Sequence, residues 1–113
     1  MATPEEVEET LVRLVSRFQR LEPAYRTLLP NHRIVEAEFP DLDLVFHAEW
    51  QDGELSDVKH GAPARSHIRV ECSSDDLLRM TRGELGFRRA YATNRVRVEA
   101  SMTDLLRLRG VMS

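Results

Sequence analysis

The order of hydrophobic periods between Pro63 and Met112 does most to limit what this chain can fold into. Ile68, Val70 and Cys72 alternate with His67, Arg69 and Glu71, the period of a half-buried strand. The spacing then turns helical over Leu77, Leu78 and Met80, behind a serine pair and two aspartates. Ser73 or Ser74 is placed to cap this helix, Asp75 and Asp76 complement the positive end of its dipole, and Gly83 is placed to end it in a left-handed conformation. A short helix follows with Phe87, Ala90 and Tyr91 on one side, stopped at Asn94, a residue type that tolerates positive φ. Val96, Val98 and Ala100 restore the strand period. Met102, Leu105, Leu106, Leu108 and Met112 then give the last segment a broad apolar helical surface, begun at Ser101 or Thr103.

The first half supplies the rest of a sheet. Thr3 as N-cap, Pro4 at the first helical position and Glu6 form a capping-box start, and Val7, Leu11, Leu14, Val15, Phe18 and Leu21 recur on one stripe of a helix ending near Pro23. A short helical turn over Ala24 to Leu29 is expected next, stopped by Pro30 and Asn31. Val35, Ala37 and Phe39 alternate with Ile34, Glu36 and Glu38 up to Pro40, and Leu42, Leu44, Phe46, Ala48 and Trp50 share one face of a second strand. Asp52-Gly53 supplies the positive-φ residue of a tight hairpin, so Glu54 to about Lys59 returns as a poorly patterned edge strand. The loop from His60 to Pro63 leads into the strand of Ile68. The fold class expected is α+β: about five strands, mainly antiparallel, with helices packed on one face.

Length and charge bound the function. A chain of 113 residues fits a single domain, 1–113. A net charge of -3 argues against a general nucleic-acid binder, which needs a strongly basic surface. The charge is uneven, because residues 1–64 hold 6 basic and 13 acidic groups and residues 65–113 hold 10 and 6. Arg79, Arg82, Arg88, Arg89, Arg107 and Arg109 lie in that cationic half and suit transient contact with an anionic membrane surface. Cys72 is the single cysteine and sits in an apolar strand, so a buried neutral thiol and a reducing compartment are expected. The acidic start lacks the marks of a secretory signal, no apolar run approaches the roughly 20 residues that span a bilayer, and the last three residues are not a peroxisomal address. The expected location is cytoplasmic.

Catalytic chemistry finds little footing. His32, His47, His60 and His67 show no helical metal-ligand spacing, and there is no paired-cysteine motif, so no metal is expected. There is no Gly-x-Ser-x-Gly elbow and no phosphate-binding glycine loop. The inward positions are almost wholly apolar, and neither enzyme activity nor a cofactor is expected.

Taken together, the aspartate-led Leu77-Leu78 helix, Gly83-x-Leu85, Ala90, the alternating strand Arg95 to Glu99 and the leucines Leu105, Leu106 and Leu108 resemble the sterol carrier protein domain. The resemblance covers roughly 63–112 and is weaker over 33–60. It departs at Asn94, where family members usually have glycine, and at Ala100-Ser101, where they have a Gly-Asp pair. It implies an α+β module enclosing an apolar tunnel that binds, and can transfer, a lipid or other hydrophobic ligand such as a sterol, a fatty acid or an acyl-coenzyme A. On that basis Phe46, Trp50, Ile68, Val70, Leu77 and Met80 are expected to line the tunnel, together with Phe87, Tyr91, Val98, Met102, Leu105 and Leu106. Met80, Met102 and Met112 would form an adaptable wall, and the last helix a lid. A second expectation is an association module that keeps the fold with a filled interior and forms an oligomer.

Overall fold

In the computed structural model, residues 2–19, 32–52 and 54–112 are described, without the side chains of 18, 19 and 108–112. Helix α1 spans Pro4–Gln19. Its start is a reciprocal capping box: Thr3 Oγ1 accepts from the Glu6 N–H at 3.2 Å, and Glu6 Oε1 accepts from the Thr3 N–H at 3.1 Å. Val7 is fully buried, and Leu11 and Leu14 pack beside it. The expected turn over Ala24 to Leu29, and any continuation of α1 toward Pro23, lie outside the described residues.

Strands β1 (His32–Phe39) and β2 (Leu44–Gln51) pair antiparallel across a 3-10 turn at Pro40–Leu42, where Asp43 takes φ 51°. After β2, Asp52 itself adopts positive φ, also at 51°. The single returning strand expected over Glu54 to Lys59 is in fact two short ones, β3 (Glu54–Leu55) and β4 (Lys59–His60), both paired with β2. The cause is Ser56. Its N–H donates to the Glu49 carbonyl and its Oγ accepts from the Glu49 N–H, both at 2.8 Å, so a side chain replaces one rung of the ladder. Val58 is thereby turned into the core.

Strand β5 (Ile68–Cys72) lies parallel to β1, and β6 (Val96–Glu99) runs antiparallel to β5. The sheet thus has six strands in the order β3-β2-β1-β5-β6, with β4 also on β2. Between β5 and β6 come α2 (Ser74–Thr81) and α3 (Phe87–Ala92), and α4 (Met102–Met112) follows β6. Ser73 is the cap of α2, accepting from the Asp76 N–H at 3.1 Å. Helices α2 and α3 end in the same way. Glu84 and Gly83 donate to Arg79 and Met80, Arg95 and Asn94 donate to Ala90 and Tyr91, and Gly83 and Asn94 take φ 77° and 62°. Asn94 therefore does the work of a glycine.

Register puts Val35, Ala37, Phe39, Leu44, Phe46, Ala48, Trp50, Ile68, Val70, Cys72, Val96 and Val98 on one face. Val7 of α1, Leu77 of α2, Leu85 of the turn after α2 and Ala90 of α3 join that face in the main core. Phe39 and Phe46, each 1% exposed, meet edge to face at 6.3 Å. Burying each contributes about 1.5–3 kcal/mol. The opposite face is charged: Arg69 reaches Glu36 at 2.9 Å and Glu38 at 3.1 Å.

Candidate functional site

The buried apolar residues of the sheet face separate into two clusters. The larger joins Phe46 and Leu77 to the helices, with Val70, Met80, Phe87 and Val98 partly buried against it. The smaller holds Trp50 and Ile68, flanked by Val35, Leu55 and Ala100, and again by Val70 and Val98. Val70 and Val98, paired across β5 and β6, are therefore the seam between the clusters. Leu105 is half-buried on α4.

Tyr91, Met102 and Leu106, expected inside, instead stand on the surface at 48%, 72% and 61% exposure. In α3 the inward position belongs to Ala90, fully buried, and the next residue is turned about 100° away; Tyr91 stacks on Phe87 with ring centroids 6.3 Å apart. In α4 the rotation is set by Asp104. Its Oδ2 accepts from Arg33 Nε at 2.7 Å, which turns Asp104 toward the sheet and leaves Met102 and Leu106, one turn apart, facing water. Ser101 caps this helix by accepting from the Asp104 N–H at 3.1 Å. Sequence reasoning missed Arg33 and Asp104. The signal was parity, since position 33 falls on the same face as 35, 37 and 39.

His67 stands next to this pair. Its Nδ1 accepts from the Ile34 N–H at 3.0 Å while its own N–H donates to the Ile34 carbonyl at 2.9 Å, which ties the loop before β5 to β1. Burial, with help from Arg33, Arg65 and His32, holds its pKa below the ordinary 6.5, although Asp104 acts in the other direction. Neutral His67 is the form that can accept from Ile34.

Other groups are structural. Ser74 is fully buried and gives both its N–H and its hydroxyl to the carboxylate of Asp41. Burial pushes the Asp41 pKa up, but the two bonds from Ser74 prevail and hold it low. His60 packs against Phe46 at 4.9 Å and reaches Glu8 of α1 at 2.8 Å. Among the described residues, no group of three or more His, Cys, Asp or Glu is placed to hold a metal ion, and no helix is long and apolar enough to cross a membrane. A cleft of about 190 Å³ runs between α1 and α2, lined by Glu6, Arg13, Arg17, Leu78 and Arg82 among others. A second, of about 350 Å³, lies beside β2 and β3 around Glu49, Leu55 and Lys59. Both are polar, and neither includes a residue expected to line the tunnel.

No family model and no curated protein matches this sequence. The fold, in contrast, has clear counterparts among solved structures. Sterol Carrier Protein 2 Like 2 from Aedes aegypti superposes with a TM-score of 0.71 at 14% identity, over 95% of this chain and 96% of that one. A palmitated form of the same mosquito protein gives 0.67 at 13% identity, over 98% and 95% of the two chains. UbiJ-SCP2, a ubiquinone synthesis protein, gives 0.62 at 13% identity, over 99% and 93%. A sec-alkylsulfatase from Pseudomonas sp. also matches, with a TM-score of 0.63 at 14% identity, but this chain spans only 16% of its length. The protein has the sterol carrier protein fold.

Proposed function

We propose that this domain binds a lipid or similar hydrophobic ligand, without catalysis, between the apolar sheet face and the helices. The observation that carries the reading is the division of that face into two clusters met by the partly buried Val70 and Val98. A tail laid along this seam would join Phe46 and Leu77 on one side to Trp50 and Ile68 on the other. Leu105 would cover it from α4, and Met102 and Leu106 would reach it only if that helix turned or lifted. The end-to-end likeness to sterol carrier structures, one of them palmitated, supports the same reading. Removing a few hundred Å² of apolar surface from water is worth several kcal/mol at about 25 cal/mol per Å², which offsets the cost of ordering a flexible tail. The polar clefts take no part.

The test is native mass spectrometry of protein purified without detergent, followed by identification of the organic extract. A one-to-one lipid adduct is the expected result. A clean apo mass, with no response to fluorescent fatty acids or sterols, overturns it and would leave an association module with a filled interior.

A further inference from the structure

Arg33 and Trp50 are direct partners in the register of β1 and β2, at the end of the sheet where α4 begins. Arg33 binds one oxygen of Asp104, whose side chain is 3% exposed. The other oxygen, Oδ1, has no hydrogen-bond partner among the described residues, and Arg107 forms an ion pair with it at 3.7 Å, beyond hydrogen-bond reach. The indole N–H of Trp50, a residue 5% exposed, likewise has no hydrogen-bond partner among the described residues. One buried donor and one buried acceptor thus lack a hydrogen bond, one on the register partner of Arg33 and the other on the carboxylate that Arg33 binds. Each weakens the folded state until something pairs it.

We infer that these two groups form a head-group subsite that selects lipids bearing a hydroxyl; this rests on the lipid-binding reading above. An indole N–H can only donate, and an ionised carboxylate can only accept. A hydroxyl does both, so an alcohol head can accept from Trp50 and donate to Asp104. A carboxylate head has no proton for Asp104 and brings a second negative charge to an arginine already paired. A plain hydrocarbon pairs with neither group. The tail of such a ligand would run from this polar end along the apolar face toward Val70 and Val98.

Trp50 is the single tryptophan of the chain, so its fluorescence and its one indole N–H resonance report on the subsite directly. The full chain is titrated with 1-hexadecanol, hexadecanoate and hexadecane. Hexadecanol is expected to bind about tenfold more tightly than either of the others and to move the indole proton downfield. In Asp104→Asn, Arg33 keeps the amide oxygen and the NH₂ group faces the ligand, so the preference is expected to invert toward hexadecanoate. The wild-type series decides the matter alone if that variant fails to fold. Equal affinity for the three ligands with an unmoved indole resonance, or tightest binding of hexadecanoate to the wild type, overturns the subsite and leaves the lipid reading standing. Binding of none of them overturns both.

Discussion

At Cys72 the thiol lies 6% exposed at the end of β5, where burial, with Asp76, Asp41 and Glu71 nearby, pushes its pKa up to about 12. Only the thiolate is a competent nucleophile, so two effects, low accessibility and a vanishing thiolate fraction, act in the same direction. The native protein is expected to resist iodoacetamide at about pH 8 and to react promptly once unfolded in urea. Fast native labelling would show that the end of β5 opens far more often than its burial implies. Asp41 works differently. Its low pKa means that its contribution to stability is present above the ordinary value of 3.8 and is lost as the pH falls through the lower folded value. The bonds to Ser74 are thus an acid-sensitive join between the turn after β1 and the start of α2.

Among the elements, α4 is held in the least conventional way. Its rotation follows from one ion pair, Arg33 to Asp104, spanning 71 residues of sequence, rather than from a continuous apolar stripe. Replacing Arg33 with alanine leaves the buried Asp104 carboxylate with only Arg107, 3.7 Å away, and removing one partner of such a pair costs up to about 3 kcal/mol. Hydrogen exchange should then quicken along α4 while the amides of α2 keep their protection; unchanged exchange in α4 would mean that other contacts hold it. The same helix shows where sequence reading stops. Capping by Thr3 and Ser73, the left-handed stops at Gly83 and Asn94, and the strand period of β1, β2, β5 and β6 are local signals, and all were legible. The break at Ser56 depends on Glu49 across the hairpin, and the facing of Met102 and Leu106 depends on Arg33 far away, so neither is written in its own segment. Much of the expected lining falls on the apolar face for the same local reason, strand parity. The Arg33–Asp104 pair went unseen because an inward arginine and a helix-start aspartate each look like surface residues alone.

On the scale of the whole molecule, identities of 13 to 14% with structures of the same fold show that pattern and register, more than particular residues, carry this architecture. The freedom left over is visible in the charges. Arg79 and Arg95 share Asp76, and Arg107 stands near Asp104, whereas Arg82, Arg88 and Arg89 on the α2–α3 segment are exposed. On the proposed lipid-binding reading the domain would load its ligand at a membrane, and this segment presents three exposed arginines for which the described residues show no ion pair. Each such arginine near an anionic surface is worth about 1 kcal/mol, roughly a fivefold change in partitioning, and the attraction fades beyond a Debye length. Cosedimentation with vesicles containing phosphatidylserine should therefore exceed that with phosphatidylcholine alone, and should decline at about 0.5 M salt, where the Debye length is only a few Å. Replacing Arg82, Arg88 and Arg89 together by glutamine should abolish the difference between the two vesicle types while leaving hydrophobic ligand affinity intact, because none of the three belongs to the apolar clusters. Equal binding of wild type and triple variant would reduce these arginines to solvated helix positions, and would shift the search for a membrane-facing surface to Met102 and Leu106 on α4.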